Sequence, residues 1–234
     1  MERKMTAQAG SAPFDAVILA DGCFPSHPAP LGMLERLRDR LLCCDGAADA
    51  LLAAGFMPVA VVGDGDSISA QARERLAKRL VILSEQENND LTKAVHYGVS
   101  LGYRRLCLAG ATGKREDHTL GNISLLADYA DVAEVEMWTD YGTLTPVAGD
   151  TAFESYPGQQ VSVFCLEPFP LTLQGLRWPV TNRTLTRWWQ ASLNEATGRV
   201  FHVRTAGRAI VFREYPPPNP QTLESSNSFK NNKE

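Results

Sequence analysis

Two aspartates flank a glycine at the end of an apolar run, in Val59-Ala60-Val61-Val62-Gly63-Asp64-Gly65-Asp66-Ser67. The four small apolar residues read as a buried strand that stops at Gly63. Carboxylates this close repel unless something positive sits between them, and the glycines allow tight turns and close approach to a ligand. A divalent cation held by oxygen donors is the simplest occupant, with Mg²⁺ bound beside phosphate the common form. The same residue types also suit a plain surface turn. An EF-hand is excluded, because its glycine position would fall on Ser69 and its closing glutamate position on Arg75.

A second group is Asn88-Asn89-Asp90-Leu91-Thr92-Lys93, which opens a helical pattern. Asn89 or Asp90 can cap that helix. Asp90 and Lys93 are three apart and share a face of its first turn; one can help to hold a metal while the other meets a phosphate. The third group, Gly110-Ala111-Thr112-Gly113-Lys114-Arg115-Glu116-Asp117-His118, leads from a strand into a helix. Its glycines and the helix N-terminus suit an anion. It is not a Walker A loop: only Ala111 and Thr112 separate the glycines, and Arg115 follows Lys114 where Ser or Thr is required. Arg115 offers a planar fork for phosphate oxygens. Asp117 either orients that fork or begins the helix, and His118 is either a general base or a capping or packed residue.

Short apolar runs alternating with amphipathic segments must position these groups. Strands are expected at 16–20, 41–44, 59–62, 80–83, 106–109 and 134–139, and helices at 31–40, 47–54, 71–79, 90–101 and 117–129. That alternation is the pattern of a parallel sheet with helices on both faces, where ligands sit beyond the carboxyl ends of the strands. Asp21, Asp45, Asp64, Asp66 and the 110–117 loop all fall there. After Tyr141 the helical period disappears, and short β-rich runs appear at 142–148, 160–166, 171–173, 199–204 and 209–213. The expected fold is therefore an α/β N-terminal domain with a mainly parallel sheet flanked by helices, followed by a small all-β sandwich domain. The expected divisions are a flexible N-terminus at 1–13, the α/β domain at 14–148, the sandwich at 149–215 and a disordered Pro-, Ser- and Asn-rich tail at 216–234.

The 234 residues carry a net charge of −4 and no long basic run, which argues against general nucleic-acid binding. No apolar run approaches the ~20 residues of a membrane helix. The five cysteines show no C-x-x-C pairing, so buried free thiols are expected in a reducing cytoplasm, not disulfides or zinc.

Asp45-Gly46-Ala47-Ala48, Gly63-Asp64-Gly65-Asp66-Ser67-Ile68, Asn89-Asp90-Leu91-Thr92-Lys93 and Gly110…Arg115-Glu116-Asp117-His118-Thr119…Asn122 stand in an order and spacing that resembles the thiamine pyrophosphokinase family. Gly175-Leu176-Arg177-Trp178-Pro179 and Asn194-Glu195 resemble segments of its second domain, and the likeness covers residues 15–215. The resemblance implies a cytoplasmic homodimer with its active site shared across the interface, converting ATP and thiamine to thiamine diphosphate and AMP. It implies Mg²⁺ on Asp64, Asp66 and Asp90, and reaction chemistry at Asp45, Asp66, Asp90, Lys93 and Arg115. It implies ATP contacts at Gly110, Gly113, Arg115, Asp117 and His118, and thiamine contacts at Trp178, Ser192 and Asn194. Asp45 or Asp66 could take the hydroxyl proton. A cationic thiazolium needs aromatic or acidic company; Trp178, Trp188 and Trp189 are candidates, although burial in the sandwich core is the expectation for any one of them.

Four positions depart from that family. Asn89 stands where Thr is usual, Gly65 replaces a Phe, Lys114 replaces a Gly and Leu193 replaces a Ser. The last bears on the acceptor pocket and keeps a pterin alcohol open as the acceptor. A metal-dependent phosphohydrolase could use the same aspartates, and a non-catalytic nucleotide sensor is the third rival.

Overall fold

Alternate residues of one short strand feed two different cores, and this sets the architecture. The computed structural model describes residues 14–217. The expected flexible N-terminus lies outside them, as does the expected tail beyond residue 217. The first half runs β1 (Ala16–Leu19), α1 (Pro28–Arg36), β2 (Leu41–Cys44), α2 (Ala48–Ala53), β3 (Ala60–Gly63), α3 (Ala70–Arg75), β4 (Leu80–Ile82), α4 (Asp90–Ser100), β5 (Arg105–Ala109), α5 (Glu116–Tyr129) and β6 (Glu134–Trp138). Ala16 and Ile18 of β1 face a core with Leu91, Val95, Leu126 and Tyr129 of α4 and α5. Val17 and Leu19 face the opposite core, with Leu34, Leu51 and Leu76 from around α1, α2 and α3. Strands buried on both sides read as continuous apolar runs, as these do.

The six strands pair in parallel in the order β6-β5-β1-β2-β3-β4. The order reverses between β1 and β5, which are adjacent but far apart in sequence. In open sheets of this kind the crevice beyond such a reversal is where ligands bind. One helix differs from expectation. The pattern predicts 31–40, but α1 begins at Pro28 and ends at Arg36, with a separate 3₁₀ turn at Arg38–Arg40. Pro28 and Pro30 are tolerated in a first turn, where no N–H is needed, and the His27 ring caps it by accepting from the Ala29 N–H at 3.1 Å.

The second half contains β7 (Gly142–Glu154), β8 (Gln160–Cys165), β9 (Pro170–Gln174), β10 (Val180–Thr184), β11 (Ala191–Glu195) and β12 (Val200–Glu214). All pair antiparallel, and they enclose a third core that includes Phe153, Val163, Leu171 and Phe201. The two runs expected at 199–204 and 209–213 form one strand, β12, with a register shift between Thr205 and Arg208. Gly207 sits at that shift because a Cβ there would fall against the ring of Phe169. β12 pairs with β7 from Val200 opposite Glu154 to Glu214 opposite Gly142; one half of it also holds β9 and the other half β8. Because β7 also pairs with β6, the two halves of the chain share one sheet. The expected division at residues 148 and 149 lies inside β7.

Two side-chain expectations are settled by burial. Cys43, Cys44, Cys107 and Cys165 are buried and free, and Cys23 is exposed and free. The tryptophans do not fill the sandwich core: Trp178, Trp188 and Trp189 are more than half exposed, at 56%, 55% and 61%. Small aliphatics and the stacked pair Phe153–Phe201 occupy that core instead.

Candidate active site

Asp45 follows β2 and is almost fully buried, a costly position for a carboxylate without partners. Two backbone donors meet that cost. Its Oδ1 accepts from the Gly46 N–H and its Oδ2 from the Gly65 N–H, both at 2.8 Å. Gly63 makes room for it, since a Cβ there would stand 2.5 Å from the Asp45 carboxyl carbon. Gly65, at φ +83°, turns the chain so that its N–H points back at Asp45. Asp64 Oδ1 accepts from the Asp66 N–H at 3.1 Å, and Gln86 donates to its other oxygen at 3.3 Å. Those two bonds hold the Asp64 carboxyl below the usual carboxylate range. Oxygens of Asp45, Asp64 and Asp66 all lie within 4.8 Å of one another.

Asp90 comes from the first turn of α4, which Asn89 caps by accepting from the Thr92 N–H at 2.9 Å. Of the two caps the sequence leaves open, Asn89 is used, and Asp90 is free to receive Lys93 Nζ at 3.1 Å. Burial pushes the Asp90 carboxyl up, with Asp45 and Asp64 adding to that and Lys93 opposing it. Lys93 is itself buried, an expensive place for an ammonium unless it faces anions.

The loop after β5 forms the opposite wall. Gly110 and Gly113 take φ values of +62° and +79°. The chain leaving β1 clamps this loop: the Gly22 N–H donates to Gly110 O at 2.6 Å and the Cys23 N–H to Thr112 O at 2.8 Å. Contact is tight enough that a Cβ on Gly113 would stand 2.5 Å from Cys23 Sγ. Arg115 forks onto Asp117 through Nε at 3.1 Å and Nη2 at 2.5 Å, so Asp117 orients the guanidinium and also accepts from the His118 N–H at 2.9 Å. Lys114 donates to Asp21 at 2.6 Å. Asn122, from α5, ties the walls together by donating to Ala111 O at 2.9 Å and accepting from Asn89 at 3.1 Å.

Asp64, Asp90, Lys93, Gly113, Arg115 and His118 thus line one cleft of about 350 Å³ at the β1–β5 reversal, with Asp45 beneath it. A cleft with convergent carboxylates and cations at the strand ends suits a metal–polyphosphate ligand. One family model, described as "Thiamin pyrophosphokinase, catalytic domain", matches residues 34–138, and a second, "Thiamin pyrophosphokinase, substrate-binding domain", matches residues 142–212. The chain belongs to the thiamin pyrophosphokinase family.

Individual relatives agree. A stretch of 86 residues is 38% identical to thiamine pyrophosphokinase of Bacillus subtilis, covering 35% of this chain and 40% of that one, so the alignment spans less than half of the curated relative. The crystal structure of thiamin pyrophosphokinase from Geobacillus thermodenitrificans superimposes with a TM-score of 0.69 at 25% identity, over 87% of this chain and 98% of that chain. The structure from Candida albicans gives 0.72 at 17% identity, over 86% and 90%, and shows the shared fold.

The expected thiamine contacts lie in the family's second domain, away from the cleft lining. Asn194 is buried and its amide is engaged internally: it accepts from the Trp178 and Glu195 N–H groups at 3.1 and 2.9 Å and donates to Trp178 O at 2.8 Å. Ser192 Oγ donates to Trp189 O at 2.7 Å. Two participants in the cleft escaped the sequence reading. Gln86 lies in a loop with no pattern around it, and the bridging role of Asn122 depends on the packing of α5 beside α4, although Asn122 stands in the motif set.

Proposed function

We propose that the chain transfers the pyrophosphoryl group of ATP to the hydroxyl of thiamine, giving thiamine diphosphate and AMP. The observation that carries this reading is the Asp45–Asp64–Asp66 group of a family member, whose Asp64 lines one cleft with Asp90, Lys93 and Arg115. The donor set fits Mg²⁺, being three carboxylates with hard oxygen atoms and no nitrogen or sulfur ligand. Asp64 and Asp66 would hold the ion with Asp45 beside them, and Asp90, expected as a ligand, faces the same cleft through its pair with Lys93. When bound, Mg²⁺ supplies charge neutralisation for the polyphosphate.

The hydroxyl oxygen of thiamine forms a bond to the β-phosphorus as the bond from that phosphorus to the α–β bridging oxygen breaks and AMP leaves. Such a transfer depends on in-line placement and on groups that meet developing charge. Lys93 and Arg115 serve the second need, each aimed by its own aspartate. Gly110 and Gly113 let the loop backbone approach the phosphates, with His118 at the same wall. The hydroxyl proton passes to an aspartate, Asp45 or Asp66. Thiamine is held from the second domain, near Trp178, Ser192 and Asn194, in a cytoplasmic homodimer whose site spans the interface; the exposed tryptophans support an aromatic surface there.

AMP formation from ATP and Mg²⁺, with and without thiamine, tests this in the wild type and in Asp66→Ala. Thiamine-dependent AMP that falls by about 10²-fold or more in the variant is expected. ATP turnover indifferent to thiamine would overturn the acceptor assignment.

A further inference from the structure

On the reading just given, we propose that Lys114 is an additional phosphate-binding residue of this chain, parked on Asp21 until a nucleotide arrives. Lys114 adopts φ +58°, a left-handed conformation that disfavours any L side chain and suits glycine. Among the described residues its side chain bonds Asp21, Nζ to Oδ1 at 2.6 Å. Both partners are about half exposed, at 54% and 47%, and ion pairs in such positions stabilise a fold very little. The strain therefore has no matching structural gain, and backbone strain of this kind collects at functional sites.

A clip between the loop and β1 is the competing role, and the fold already has one. The Gly22–Gly110 and Cys23–Thr112 backbone bonds fasten the same two segments without any side chain. What Lys114 adds is a charge on the cleft wall, directly before Arg115 and in the same lining as Lys93. All three cations rest on aspartates: Lys93 on Asp90, Arg115 on Asp117 and Lys114 on Asp21. An aspartate carries one negative charge, whereas the tail of ATP carries several and offers more acceptor oxygens, so a bound polyphosphate displaces Asp21 as the partner of the ammonium.

The test is ATP affinity by calorimetry for the wild type, Lys114→Gly, Lys114→Gln and Asp21→Asn, together with thermal melting and the thiamine-dependent AMP assay. Lys114→Gly is expected to bind ATP about tenfold more weakly while melting at a higher temperature, because the charge is lost and the backbone strain is relieved. Lys114→Gln, which keeps the strain and loses only the charge, is expected to match that weak binding. The deficit of both shrinks as salt is raised. Asp21→Asn is expected to bind ATP at least as tightly as the wild type, since it frees the ammonium. Unchanged ATP affinity in both Lys114 variants overturns the proposal, as does an Asp21→Asn variant weakened as much as they are. A wild type that binds ATP through Lys114 but makes no thiamine-dependent AMP overturns the acceptor assignment and leaves this proposal standing.

Discussion

At the scale of single residues the cleft is built by glycines that give way to carboxylates. Gly63 leaves space for Asp45, and a Cβ on Gly46 would stand 2.5 Å from Asp21 Oδ2. Gly63→Ala should therefore displace the Asp45 carboxylate without removing any charged group. The expected result is a loss of about 10²-fold in AMP formation at saturating ATP, the scale of a small misplacement in a catalytic constellation. A folded Gly63→Ala with wild-type turnover would remove Asp45 from the machinery. The residues of the cleft were legible in sequence to different degrees. Asp64, Asp66, Asp90, Lys93 and Arg115 belong to short local patterns, so their types and spacing speak directly. That Asp45 joins Asp64 and Asp66 is a consequence of β2 lying beside β3, with Cys44 opposite Val62, which no local spacing records. The tryptophans misled for a related reason: average burial says nothing about which face of an antiparallel strand or which turn a residue occupies.

At the scale of elements, one carboxylate joins pieces that the sequence keeps far apart. Asp140, just past β6, accepts from the Ser26 N–H at 2.9 Å, the His27 N–H at 3.0 Å and the Ser26 hydroxyl at 2.5 Å. It thereby fastens the turn into β7 to the residues that start α1. Burial works against its charge, but these donors outweigh burial and hold the carboxyl below the usual range. A depressed folded value means that the contribution is fully present above the unfolded value of about 3.9 and is lost as pH falls through the folded value. Asp140→Asn is expected to cost about 1 kcal/mol at pH 7, comparable to a helix cap. That gap to the wild type should close as pH falls through the depressed folded value of Asp140. Urea melts of both proteins at pH 7 and in acid check it; a gap that persists in acid would assign the loss to shape instead of charge. The elements of the α/β half were legible because their strands are continuous apolar runs. β10 and β11 were not, because Val180-Thr-Asn-Arg-Thr184 and Ala191-Ser-Leu-Asn-Glu195 are mostly polar and become strands by pairing with β9 and β8.

At the scale of the whole molecule, the two halves are joined by paired strands, not by a linker. β7 pairs with β6 on one side and β12 on the other, and β12 reaches both β8 and β9. Opening either half breaks ladder bonds of the other, so unfolding in urea is expected to be one transition seen alike by far-UV dichroism and tryptophan fluorescence. Two resolved transitions would show that the β-rich half melts by itself. The turn in sequence character after Tyr141 announced a second half correctly, but the join itself, a tight hairpin that sets Met137 opposite Leu144 and Trp138 opposite Thr143, leaves no compositional trace. Among the five thiols, four are sealed inside the cores, and burial raises Cys43, Cys44, Cys107 and Cys165 above the usual thiol range. The chain thus carries a single accessible thiol, Cys23, seated against Gly113 of the glycine loop that lines the cleft. A maleimide dye attached there makes the unmutated protein an optical sensor of its own cleft, with no engineered cysteine and no background labelling to subtract.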